Sequence, residues 1–187
     1  MTKDLNDGLT YSRIANIIFG MIKRQDIVVL TTLLDEEASK LTYAELGRIS
    51  GVSASEAHAA VKRLQQSSLV GISRRLRNKS VLEFLVHGLR YLFPLILTGK
   101  TAKGMPTAYA APGVADAFAT TGMVPVWACD TGMVVGRVCE PLYPTVPQTV
   151  SNNPRLYARL AMMDMLRGGR LRERQFAEQK FTEILVP

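Results

Sequence analysis

The sequence predicts a mainly α-helical fold: a helix-turn-helix, winged-helix-like module, with additional helices and one small β-hairpin. Three observations carry this expectation. Residues 42–70, TYAELGRISGVSASEAHAAVKRLQQSSLV, specify two short helices across a tight turn. Apolar residues recur at helical spacing on both sides of that stretch. Only VPVWACDTGMVVGRVCE, from Val124 to Glu140, reads as strand, turn and strand, around Asp130-Thr131-Gly132.

The elements follow in chain order. Ile14, Ile17, Ile18, Met21 and Ile22 form an apolar stripe on an N-terminal helical extension (1–20), a candidate dimer contact. Ile27, Val28, Leu30, Thr31, Leu33 and Leu34 mark the first helix of a DNA-binding module over 21–80, with Glu36 and Glu37 as its solvated end. Two capping boxes come next, Thr42 with Glu45 and Ser53 with Glu56, each a hydroxyl followed three positions later by Glu. Between them Gly51 tolerates the positive φ of a left-handed helix terminus. Small residues, Ala44 and Gly47 on the first helix and Ala57 and Ala60 on the second, allow close crossing. Leu46, Ile49, Val52, Val61 and Leu64 fill the contact.

Ala57, Ala60, Val61 and Leu64 recur at i, i+3, i+4 and i+7 and must point inward, which leaves Ser55, His58, Ala59 and Lys62 outward. A stripe that is small and polar, then cationic, suits a major groove. Ser53, Ser55 and His58 are the candidate base readers, and Lys62 and Arg63 the candidate phosphate contacts. After Val70, GISRRLRNKS predicts a brief strand and a basic loop whose Arg74, Arg75, Arg77 and Lys79 crowd six positions.

The C-terminal portion, 81–187, opens on a helix capped at Asn78 and ending at Pro94. His87 reads there as a packed or edge histidine, with Glu83 as its sole nearby co-ligand. Residues 98–125 read as a loop closing into a short helix near Val114 to Phe118. The Gly99-Lys100-Thr101 triplet is no phosphate loop, because Pro94 stands where the motif's first Gly belongs. Trp127 should anchor the hairpin on the helical core. Asn153-Pro154 marks a helix start, carried by Leu156, Leu160, Met163 and Leu166 to Gly168-Gly169, and RLRERQFAEQKFTEIL predicts a final amphipathic helix. A second basic cluster, Arg167, Arg170, Arg172 and Arg174, falls at that junction.

The stretch from Ile27 to Lys79 resembles the winged helix-turn-helix domains of bacterial MarR-type transcriptional regulators. The resemblance rests on Leu46-Gly47, the Gly51-Val52-Ser53 turn, and Lys62-Arg63-Leu64 through Leu69-Val70. It implies that the helix at about 53–66 enters the major groove and that a basic wing meets the backbone or minor groove. The wing is short here, since the basic loop runs early into an apolar helix. The remainder, with VLEFLVHGLRYLFP, GMPTAYAAP and EPLYPTVP, looks like a group of uncharacterised bacterial helix-turn-helix proteins. The expected interface is therefore Thr42, Ser53, Ser55, His58, Lys62, Arg63, Arg74, Arg75, Arg77 and Lys79.

With 187 residues and 47% hydrophobic content the chain can build a core, and 23 basic against 16 acidic side chains give a formal charge of +7. That balance favours polyanion partners. The N-terminus has no secretion-signal pattern and the longest apolar run is broken by Glu83, His87, Arg90 and Pro94, so a cytoplasmic protein without a membrane anchor is expected. Cys129 and Cys139 are too few for a disulfide framework and have no His nearby. No catalytic or metal spacing occurs, so neither enzyme activity nor a cofactor is expected. The expected partners are double-stranded DNA and a second copy of the chain as a homodimer. The alternative is an antitoxin-like protein that holds a partner protein and represses its own operon.

Overall fold

The computed structural model describes residues 21–118 and 122–186, so the N-terminal extension and its candidate dimer contact lie outside the described residues. Helix α1 (Arg24–Thr32) sits at the centre, and every residue from Asp26 to Thr32 is buried. A helix inaccessible all round needs packing on every side. α2 (Tyr43–Ser50) and α3 (Ala54–Gln66) cover one side of it, and α7 (Pro154–Gly168) covers another. The threonines of α1 bond within the helix, Thr31 Oγ1 to the Ile27 carbonyl at 2.6 Å and Thr32 Oγ1 to the Val28 carbonyl at 3.1 Å. Glu36 and Glu37 do not extend α1; exposed, they begin a separate 3-10 turn, Glu36–Lys40, whose Ala38 is buried.

The helix predicted from Asn78 is interrupted. α4 (Asn78–Glu83) passes through a π-helical turn at Phe84–Gly88 into α5 (Leu89–Leu92). Its N-cap is Arg77 rather than Asn78, and no side chain caps it. His87 is exposed within the π-helical turn.

The predicted β-hairpin is corrected. Three strands, β1 (Leu97–Pro106), β2 (Pro125–Ala128) and β3 (Val134–Cys139), close into a small barrel. β1 pairs antiparallel with both others, while β2 and β3 pair parallel through Pro125 with Arg137 and Val126 with Val138. The stretch expected to be a loop thus supplies the longest strand. Glycines permit the closure: a Cβ on Gly104 would lie 2.2 Å from the Trp127 carbonyl oxygen, and one on Gly136 would lie 2.3 Å from that of Val124.

Trp127 anchors the barrel on the helical core as expected, 1% exposed. Its Nε1 donates to Asp164 Oδ2 at 2.7 Å, and Thr107 Oγ1 donates to the same oxygen at 2.8 Å. Arg167 Nη1 donates to Asp164 Oδ1 at 2.5 Å, and Arg167 Nε donates to the Phe93 carbonyl at 2.7 Å. One carboxylate on α7 therefore ties β1's end, β2 and the exit of α5 together. Burial pushes the Asp164 carboxyl up, and the Arg167 charge and the three donors oppose it. Tyr157 donates to the Pro106 carbonyl at 2.6 Å, with its phenol pushed up to about 12 by burial. Cys139 is buried, and burial raises its thiol well above the usual range, so it packs as a small apolar side chain.

α7 starts as predicted, with Asn153 Oδ1 accepting from the Leu156 amide at 3.0 Å and Pro154 at its first position. α6 (Val146–Val150) lies against the turn between α2 and α3, where Thr145 Oγ1 donates to the Gly51 carbonyl at 2.9 Å. α8 (Leu171–Leu185) packs on α4 and α7. The apolar core runs unbroken from Ile27 to Leu185, on both sides of residue 80. Among the described residues no helix is long and apolar enough to cross a membrane.

Replacing Asp164 by Ala should leave the Arg167 guanidinium buried and unpaired and cost about 3–5 kcal/mol. Urea unfolding monitored by Trp127 fluorescence checks this; a loss below about 1 kcal/mol would contradict the assigned role.

Candidate nucleic-acid interface

Two helices and a three-residue connection, Gly51 to Ser53, build the motif. Gly51 takes φ +69, the left-handed conformation that its position requires, and a Cβ there would collide with Thr149 Oγ1. Gly47 is needed for the crossing, since its Cβ would lie 2.7 Å from the Val52 carbonyl oxygen. Ala57 and Ala60 are fully buried in the contact, whereas Ala44 is exposed.

The two caps differ. Thr42 forms the full box: its Oγ1 accepts from the Glu45 amide at 3.2 Å, and Glu45 Oε2 accepts from the Thr42 amide at 2.8 Å. These bonds hold the Glu45 carboxyl below its ordinary 4.5. Ser53 makes half a box, accepting from the Glu56 amide at 3.1 Å. The Glu56 carboxylate turns instead to Gln25 Nε2 at 2.9 Å.

α3 presents Ser55, His58 and Lys62 to solvent on one face, with Ser53 exposed at its start and Thr42 exposed at the start of α2. Ser55 Oγ lies 3.0 Å from Ser53 Oγ. Arg63 does not belong to this face. It is 6% exposed and makes a two-pronged pair with the fully buried Asp26, Nε to Oδ2 at 2.7 Å and Nη2 to Oδ1 at 2.6 Å. Those bonds raise its affinity for its proton still further. Its place in the sequence, one step beyond Lys62, turns it about 100° round the helix and into α1.

After α3 the chain makes a minimal antiparallel ladder. Val70 bridges Leu76, the Gly71 amide donates to the Arg75 carbonyl at 2.8 Å, and the Arg77 amide donates to the Leu69 carbonyl at 2.9 Å. Gln65 on α3 braces the tip by donating from Nε2 to the Gly71 carbonyl at 3.1 Å. Arg74 is the second correction. It is half-buried, its Nη1 donates to the Leu41 carbonyl at 2.6 Å, and its guanidinium stands 5.1 Å from the Tyr43 ring centre. It fastens the turn to the start of α2. Arg75, Arg77 and Lys79 are exposed.

Tyr43 was not among the sequence-based candidates. Its ring also meets His58 edge-on, with centroids 4.7 Å apart, so one aromatic side chain orients an outward residue of α3 and holds the arginine of the turn. The signal was available in principle, because Tyr43 follows the cap and Tyr, His and Arg are stacking residues. Their separation along the chain hid it.

Among the described residues no group of three His, Cys, Asp or Glu side chains is placed to hold a metal ion. Comparison with family models, curated proteins and solved structures gives no match to this chain.

Two outcomes follow from this geometry. Asp26→Ala and Arg63→Ala should each cost about 3–5 kcal/mol, because each strands a buried charge, and the double variant should cost less than their sum; urea titrations measure all three. The lowered Glu45 carboxyl gives the Thr42 box a pH dependence with a defined sign. A depressed acid contributes stability above its unfolded value near 4.5 and loses it as pH falls through the lower folded value. The thermal stability gap between the wild type and Glu45→Gln should therefore close on acidification below about pH 4. A gap that widens there would refute the assignment.

Proposed function

We propose that the chain is a sequence-specific regulator that binds double-stranded DNA, with α3 in the major groove and the Leu69–Arg77 turn against the adjoining backbone. The observation that carries this reading is the exposed face of Ser55, His58 and Lys62, presented beyond a three-residue left-handed connection and flanked by a braced basic turn. Polar side chains near the N-terminal end of such a helix reach base edges, and cations at its margin reach phosphates. The interface comprises Ser53, Ser55, His58, Lys62, Arg75, Arg77 and Lys79, with Thr42, Tyr43 and Arg74 shaping it. The MarR-type resemblance supports the same arrangement, and a homodimer would bring two copies of α3 to half-sites one helical turn apart.

A second reading, a protein that holds a partner protein, draws on a different observation. Tyr91, Leu92, Ile96 and Leu97 leave an apolar patch exposed where α5 passes into β1, with Tyr91 76% accessible. The two readings are compatible, as a partner-holding protein can repress its own operon.

Fluorescence anisotropy on duplex DNA from upstream of the chain's own gene, against random duplex, tests the first reading. Contact with about four to six phosphates predicts a log-affinity against log-salt slope of roughly −3.5 to −5.5. Lys62→Ala and Arg75→Ala should weaken binding to all sequences alike and flatten the slope by about one each, whereas Ser55→Ala or His58→Ala should change base preference by about 1–3 kcal/mol. A slope near zero for the wild type would sink the proposal.

A further inference from the structure

We infer that the cleft between the barrel and the start of α8 binds a small phosphomonoester carrying a flat apolar group, at a site separate from the proposed DNA face. The cleft has a volume of about 580 Å³, ample for a ligand of nucleotide size. Three guanidiniums line it from two elements, Arg137 on β3 and Arg170 and Arg172 at the start of α8.

Elsewhere the chain matches many of its arginines with carboxylates, Arg24 with Glu140, Arg63 with Asp26, Arg155 and Arg159 with Asp35, and Arg167 with Asp164. Among the described residues, none of the three cleft arginines makes such a pair. The one carboxylate in the lining, Glu173, is turned to the backbone, where its Oε2 accepts from the Arg170 amide at 3.1 Å. The lining thus keeps a net charge of +2, from three arginines against one glutamate, and a dianion balances it. Guanidinium forks match the oxygens of a phosphate in pairs, and the positive end of the α8 dipole adds to the attraction.

Part of the lining is apolar. Tyr109 and Phe118 line it with their rings 6.4 Å apart, beside Leu97 and Pro125. Arg172 stands 5.7 Å from the Phe118 ring centre, so charge and aromatic surface meet at one point. A phosphate alone would leave that wall unused. A ligand with a flat apolar group attached to its phosphate uses both halves.

Calorimetric titration of the full chain with 1-naphthyl phosphate tests the inference. One saturable site is expected, weakening as salt rises. Arg137→Ala and Arg170→Ala should each weaken it tenfold or more while leaving the melting temperature unchanged, since both side chains are exposed. Phe118→Leu should weaken naphthyl phosphate and leave inorganic phosphate unaffected. Adenosine monophosphate distinguishes the sources of the ligand: tighter binding than naphthyl phosphate assigns a nucleotide, weaker binding an aryl phosphate of another kind. No saturable binding, or binding indifferent to both arginine replacements, would overturn the inference, and inorganic phosphate binding as tightly as the aryl ester would overturn the part that assigns the apolar group.

Discussion

The pair between Asp26 and Arg63 is the contact on which the arrangement of α1, α2 and α3 depends. Asp26 is fully buried in the first turn of α1, where it also accepts from the Lys23 amide at 2.8 Å. Arg63 reaches it from α3 with both prongs of its guanidinium. Apolar packing of Ala57, Ala60, Val61 and Leu64 fixes which face of α3 turns inward but would tolerate small rotations and slides. A bidentate ion pair tolerates far less, because a displaced fork leaves two charges without solvent. The pair thereby sets the angular position of Ser55, His58 and Lys62 on the other side of the same helix.

A comparable node organises the other half. Asp164 gathers donors from Thr107, Trp127 and Arg167, and Arg167 passes on to the carbonyls of Phe93 and Pro94. The barrel, the end of α5 and α7 thus share one buried charge pair. α7 in turn packs on α1, so the two nodes are linked by a helix rather than by a flexible connection. The contact of Thr145 with the Gly51 carbonyl adds a second link, placed directly on the turn of the helix-turn-helix.

Local chemistry was legible in the sequence wherever it determined the outcome. The Thr42 box, the left-handed Gly51, the inward stripe of α3 and the Asn153-Pro154 start all depend on residues no more than seven positions apart. The barrel was not legible, because β1 is built from LTGKTAKGMP, a segment whose glycines and polar residues signal a loop. Its pairing comes from partners some 20 to 42 residues downstream, and its glycines serve close approach between strands rather than turns. Arg63 and Arg74 were misplaced for a related reason. Basic residues next to a candidate interface look alike in one dimension, and what separates them from Lys62 and Arg75 is a buried acid 37 positions earlier and a carbonyl 33 positions earlier.

This sorting of arginines changes what the excess positive charge implies. Along the sequence the excess of 23 basic over 16 acidic residues includes two clusters, Arg74 to Lys79 and Arg167 to Arg174. Folding withdraws Arg63 and Arg167 into ion pairs and turns Arg74 onto a carbonyl and a tyrosine ring. The first cluster keeps Arg75, Arg77 and Lys79 exposed, beside the exposed Lys62 of α3, and Arg75 also borders a cleft with Glu36, Glu37 and Lys40. The second keeps Arg170 and Arg172, joined by Arg137 from a strand, around a concave space with an apolar wall. A run of exposed cations favours a long ligand held at many points, and a cleft lined from several sides favours a short one. The proposed polyanion contact and the proposed phosphomonoester cleft therefore draw on different basic side chains of the same excess charge.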